Sequence, residues 1–147
     1  PIAPPRRFQQ EHAIMSDRED QADFSDAFCA FLQSSVASVN AAELLLLLWR
    51  KPDQAWSIGG VAAEIDPIGS LSEAEARSYV EAFEARGLIS RLEDGRVRYE
   101  ASTDFEAHVQ TLARLYLERP VTLFRVIYAL RDTKIKTLAD AFHIWRT

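Results

Sequence analysis

The chain has 147 residues and a mass of 16.6 kDa, one domain's worth of sequence with room for a tail. Apolar types make up 48% and charged types 27%, enough for a core and a solvated surface, which excludes wholesale disorder. The formal charge of −5 excludes a globally basic nucleic-acid binder and leaves only local basic patches open.

Residues Pro1 to about Gln21 carry three prolines, Gln9-Gln10 and several charges among few apolar side chains, the composition of a flexible arm. Met15-Ser16-Asp17 resembles a translation start, which would make the residues before it an upstream remnant. A single folded domain is then expected from residue 22 to 147. Its first helix begins near Asp23, where Phe24, Ala27, Phe28, Phe31 and Leu32 repeat at helical spacing. Asn40 with Glu43 fits a capping box that opens a helix from Ala41 to Lys51. Its five consecutive leucines predict a central helix covered on several sides.

Ala55-Trp56-Ser57 reads as a brief strand. Ile58, Val61, Ala62 and Ile65 share one face of a short helix that ends at the Asp66-Pro67-Ile68-Gly69 turn. Ser70 and Ser72, each with a glutamate three residues on, mark the start of a third helix with Ala76, Tyr79, Val80 and Phe83 on its inner side. Gly87 ends it as a left-handed cap. From Leu88 to Tyr99 apolar residues alternate around Asp94-Gly95, a hairpin in which both central positions are expected at positive φ. A further helix from Asp104 to Arg119 carries Phe105, His108, Leu112, Leu115 and Tyr116 on its stripe. Pro120 opens another through Leu130, and Thr137 to Trp145 reads as a short amphipathic closing helix.

The order helix, short strand, helix, turn, helix, hairpin resembles the winged helix-turn-helix superfamily over residues 40–101. The most specific piece is Val80-Glu81-Ala82-Phe83-Glu84-Ala85-Arg86-Gly87-Leu88-Ile89. It is similar to the "leucine, acid, two residues, glycine, leucine, aliphatic" closure of MarR-like regulators, with Phe83 in the leucine position. The wider layout resembles small bacterial winged-helix proteins, which share the Leu-rich first helix and an ending like Lys134-Ile135-Lys136-Thr137-Leu138-Ala139-Asp140-Ala141-Phe142. The resemblance implies a mostly α fold: a winged helix-turn-helix core, a two-stranded wing, flanking N-terminal helices and a C-terminal helical extension over 104–147. It also implies a DNA contact through the third helix and the wing. By position, Ser70, Ser72, Arg77 and Ser78, with Glu73 and Glu81, would face the groove, and Arg91, Arg96 and Arg98 would sit on the wing.

Charge opposes that implication. Ala41 to Thr103 holds seven basic and eleven acidic residues, net −4, whereas Asp104 to Thr147 is +2. Glu73, Arg77 and Glu81 at i, i+4 and i+8 predict a ladder of intrahelical ion pairs. Duplex DNA presents a negative charge per roughly 1.7 Å of axis and is bound by basic side chains that displace counterions. Two readings therefore stand. One is a dimeric bacterial regulator of transcription that binds double-stranded DNA; the alternative is a protein-interaction module or signalling adaptor that does not.

Chemistry is sparse elsewhere. Cys29, the only cysteine, excludes a disulfide framework and a cysteine-based zinc site, and reads as a small buried hydrophobe. His12, His108 and His143 have no ligand partners at metal-binding spacing. Gly59-Gly60 lacks the spacing of a phosphate cradle. No catalytic residue, cofactor or metal is expected, and Trp49 and Trp56 read as core and wing anchors. The longest apolar run, Leu44 to Trp49, cannot span a membrane, and no secretory signal pattern is present. The expectation is a soluble cytoplasmic protein. Val121, Phe124, Ile127, Tyr128 and Trp145 are expected to form a homodimer or partner interface, because the outer helices carry more apolar surface than a small domain covers.

Overall fold

The computed structural model describes residues 23–66 and 71–131. The expected arm over 1–21, Ser70, the closing helix over 137–145 and Trp145 lie outside the described residues. Helices α1 (Asp26–Ser35), α2 (Val39–Arg50), α3 (Ile58–Ile65) and α4 (Glu73–Ala85) precede a hairpin of β1 (Ile89–Arg91) and β2 (Val97–Tyr99). Helices α5 (Thr103–Glu118) and α6 (Pro120–Leu130) follow it. Among the described residues the architecture is mostly α, with one small antiparallel sheet.

Serine starts five of these helices. The hydroxyls of Ser25, Ser38, Ser57, Ser72 and Ser102 accept from the amides of Phe28, Ala41, Gly60, Glu75 and Phe105. Each satisfies one amide that the first turn leaves without a partner. Ser38 therefore displaces the Asn40–Glu43 capping box expected from the sequence, and Asn40 lies inside the first turn. Glu43 instead accepts from the Tyr116 hydroxyl at 2.7 Å, joining α2 to α5. Burial and this carboxylate push the Tyr116 phenol up to about 12. Pro120 opens α6, where its missing N–H is no loss.

Helix α2 is central, as its leucines imply: Leu44, Leu45, Leu46 and Leu48 are fully buried. It touches α3, α4, α5 and β2, while α6 packs on α1 and α5. The outer helices thus share one continuous core with the middle of the chain. Phe28, Phe31 and Leu32 of α1 are buried in it, but Ala27 is exposed and Cys29 takes its place on the inner face. Among the described residues no single helix is long and apolar enough to cross a membrane.

The turn into the hairpin has a defined form. Gly87 sits at φ +78, with its amide bonded to the Glu84 carbonyl and that of Leu88 to the Phe83 carbonyl. These two bonds are a Schellman cap, which requires the left-handed residue that glycine supplies without strain.

Candidate interaction face on α4 and the hairpin

Helix α4 buries Ala76, Val80 and Phe83 against α2 and α3, which leaves Ser72, Glu73, Arg77, Ser78 and Glu81 exposed on the opposite side. The Schellman cap turns the chain straight into β1, so the hairpin stands beside this exposed side. Ile89 pairs with Tyr99, Ser90 with Arg98 and Arg91 with Val97. Ile89 and Val97 are buried; Arg98 is exposed by alternation with Val97, and Arg91, on the same face as Ile89 and Val97, is exposed where β1 ends.

Trp56 anchors the hairpin from behind. Its backbone N–H and C=O both bond Val97 at 2.8 Å, which makes the predicted brief strand a single bridge beside β2. The indole is buried, with the Lys51 ammonium 5.6 Å from the ring centre.

The hairpin tip corrects one expectation. Only Gly95 has positive φ, at +89; Asp94 does not. The Gly95 amide bonds the Leu92 carbonyl and the Leu92 amide bonds the Arg96 carbonyl, so the loop has three residues rather than two. A turn closed by a left-handed glycine is the usual form at this length. It frees the Asp94 side chain to reach forward. Its Oδ1 accepts from the Arg96 amide at 3.0 Å and its Oδ2 from Arg96 Nε at 2.7 Å. These bonds, the backbone one first, hold the Asp94 carboxyl below the usual carboxylate range.

The other arginines are engaged in the same way. Arg91 lies 3.2 Å from Glu84 of α4 and also donates to the Gly95 carbonyl at 3.2 Å. Arg77 approaches Glu73 at 4.0 Å, and the expected second rung to Glu81 is not made. Together with Ser57, Ile58 and Gly59 from the start of α3, residues Glu73, Arg77, Arg91, Asp94, Gly95 and Arg96 line a shallow groove between helix and hairpin. Arg98 and Arg86 have no carboxylate partner among the described residues. Residues 73–100 hold seven carboxylates against five guanidiniums, net −2.

Of the residues expected to meet DNA, Arg77, Arg91 and Arg96 are brought together in one groove, while Ser72, Ser78 and Arg98 are exposed outside its lining, Arg98 on the opposite face of the hairpin from Arg91. Ser72 is occupied as a helix cap, and three of the four arginines are held by carboxylates. Sequence reasoning missed Glu84. It lies seven residues before Arg91, too far along a helix for the two side chains to meet, and only the cap at Gly87 folds them together.

The expected apolar interface also changes. Ile127 is buried in the core, so it cannot serve as an interface residue, and Phe124 is half-buried edge-on to Tyr116. Val121 and Tyr128 do remain exposed, at 61% and 60%, and Leu117 of α5, at 82%, was not anticipated.

Cys29 is fully buried, and burial followed by the charge of Asp26 pushes its thiol up to about 11. A thiol so raised carries almost no thiolate at neutral pH, the opposite of a redox-sensing cysteine. His108 is half-buried and stacks on Phe31 at 5.2 Å between centroids, a packing role. Among the described residues no group of three histidine, cysteine or acidic side chains is placed to hold a metal. No family model, curated protein or solved structure matches the chain.

Proposed function

We propose that residues 38–100 form a winged helix-turn-helix unit whose α4–hairpin face docks a protein partner rather than reading DNA. The element order and the Trp56–Val97 bridge that seats the hairpin support the winged-helix part. One observation carries the functional part: Arg77, Arg91 and Arg96 are each committed to a carboxylate of the same face. A DNA-reading surface keeps such groups for phosphates, because counterion release supplies most of its affinity. Exchanging an internal carboxylate for a phosphate gains no net charge contrast. A protein surface carrying both signs is the better fit, since such a pattern favours matched partners and repels others. No catalytic step is assigned.

The test is a titration of the purified chain with random-sequence duplex DNA from low to physiological salt. The expected result is no salt-dependent binding at any point. Binding at low salt that fades steeply would overturn the proposal in favour of the DNA-binding regulator, the reading that the unpartnered Arg98 and Arg86 favour.

A second surface, outside that unit, carries the exposed Leu117, Val121 and Tyr128, which we assign to a two-fold contact with another copy of the chain. Val121 and Tyr128 are seven residues apart on α6 and so lie on one side of it. Sedimentation across a concentration series should show reversible dimerisation, lost in the V121E/Y128E variant. A wild-type chain that stays monomeric at high micromolar concentration would remove this assignment.

A further inference from the structure

The face carries its own anions at the places an external anion would take. Asp94 grips Arg96 with both oxygens, through the backbone amide and the guanidinium. Glu84 holds Arg91 from the side, and the Gly95 carbonyl pins the same guanidinium along the hairpin. Glu73 does two things. It reaches Arg77 at 4.0 Å, and its Oε1 lies 3.1 Å from where a Cβ on Gly59 would stand. That position is against the first turn of α3, the helix end that attracts negative charge. Ser57, Gly59 and Gly95 add little bulk to this groove, which is open to solvent.

We propose that Glu73, Glu84 and Asp94 form a built-in electrostatic screen that excludes polyanions from the α4–hairpin groove and reserves it for protein surfaces of mixed charge. The inference rests on the interaction-module reading and names the device that enforces it. All three carboxylates are on exposed or half-exposed pairs, which contribute little to folding, so their presence is not explained by stability. Glu73 and Asp94 line the groove and Glu84 holds Arg91 from beside it, so each of the three arginines of the groove has its own carboxylate. Asp94 has a second role in the turn, accepting from the Arg96 amide, which asparagine can keep.

The experiment compares the wild-type chain with the E73Q/E84Q/D94N variant and with an E64Q/E81Q/E93Q control. The control removes the same charge from exposed carboxylates that hold none of these arginines. Neutralising three groups takes residues 73–100 from net −2 to +1 in the first variant. Random-sequence duplex DNA is the probe, and far-UV circular dichroism confirms the fold of each protein.

The screen variant is expected to bind DNA where the wild type does not. Three released arginines should give binding that weakens roughly 40-fold between ~50 and ~200 mM salt, the fall expected for three phosphate contacts. The control is expected to remain without binding. Equal binding by the control would show that overall charge and not the paired positions excludes DNA, and would overturn the screen. So would a folded screen variant that stays inert, although the interaction-module reading would survive it. DNA binding by the wild type is the separate result that removes both. Should the triple variant unfold, E84Q/D94N leaves the first turn of α4 untouched and carries the same test with two contacts.

Discussion

Replacing Phe83 with alanine is expected to destabilise the fold by about 3–5 kcal/mol, the range for deleting a fully buried ring whose cavity cannot collapse. Phe83 is 0% exposed and belongs to the core that α2 and α4 share with the hairpin. It also stands at a junction. Its carbonyl accepts the Leu88 amide that closes the Schellman cap, and Leu88, itself 0% exposed, lies in the same core. Losing the ring therefore loosens the helix end that aims β1, as well as the packing below it. Phe83→Leu should cost under about 1.5 kcal/mol, because a branched apolar side chain refills most of the volume. Urea unfolding followed by circular dichroism reads both. An alanine variant within about 1 kcal/mol of wild type would mean that this part of the core is not close-packed.

Phe83 also shows why much of this fold was legible in the sequence. Helical periodicity places Ala76, Val80 and Phe83 on one side of α4, and glycine is the residue that tolerates the left-handed cap at Gly87. Both signals are local, and both hold. The leucine run of α2 is legible for a similar reason: a helix with no polar face has to be central. Local signals fail where two of them compete. Ser38 and Asn40 are both good capping residues with a suitable register, and the choice of Ser38 is settled by distant partners. Its hydroxyl also donates to the Tyr79 hydroxyl, and Glu43 is drawn away by Tyr116. The hairpin tip fails in the same way, since Asp94-Gly95 suits either a two-residue or a three-residue loop. The pairing of Arg91 with Val97 and the bridge from Trp56 decide the register.

The candidate face was legible as a list of residues and not as a surface. Ser72, Arg77, Arg91, Arg96 and Arg98 are where the helix and hairpin pattern puts them. What the arginines do depends on the carboxylates that reach them, and only the i, i+4 pair of Glu73 and Arg77 is readable from spacing. The Glu84–Arg91 pair spans a helix cap, and the Asp94–Arg96 grip depends on the loop length. The outer helices were misjudged for a different reason. Periodicity gives the amount of apolar surface on α6 but not what covers it. Contacts from α1 and α5 bury Leu123, Val126, Ile127 and Leu130, leaving only an edge exposed.

Replacing Glu106 with alanine is expected to cost about 2 kcal/mol, less than the sum of its bonds because the group is half exposed. Its carboxylate is the meeting point of three elements. The Tyr99 hydroxyl of β2 donates to one oxygen at 2.5 Å; Trp49 Nε1 of α2 and Gln110 Nε2 donate to the other at 3.0 and 2.9 Å. Without it, the Tyr99 hydroxyl and the Trp49 indole lose their acceptor, and α5 loses its polar tie to the hairpin. Two further measurements separate this from a general loss of packing. Burial raises the Glu106 carboxyl, but the bonds from Tyr99, Trp49 and Gln110 outweigh it and leave the group below its ordinary value of 4.5. A carboxylate depressed in the folded state adds stability that is complete above the unfolded value and disappears as pH falls through the folded one. The gap between wild type and Glu106→Gln should therefore be constant near neutrality and close progressively below about pH 4.5. The second measurement is amide exchange in β2. The Tyr99 hydroxyl ties the end of the strand to α5, so exchange at Arg98 and Tyr99 should rise in the variant while α1 is unchanged. A pH-independent gap would mean that the ionisation of Glu106 does not set the difference, since glutamine keeps its volume. Unchanged exchange in β2 would mean that Trp56, from the other side, is sufficient to seat the hairpin.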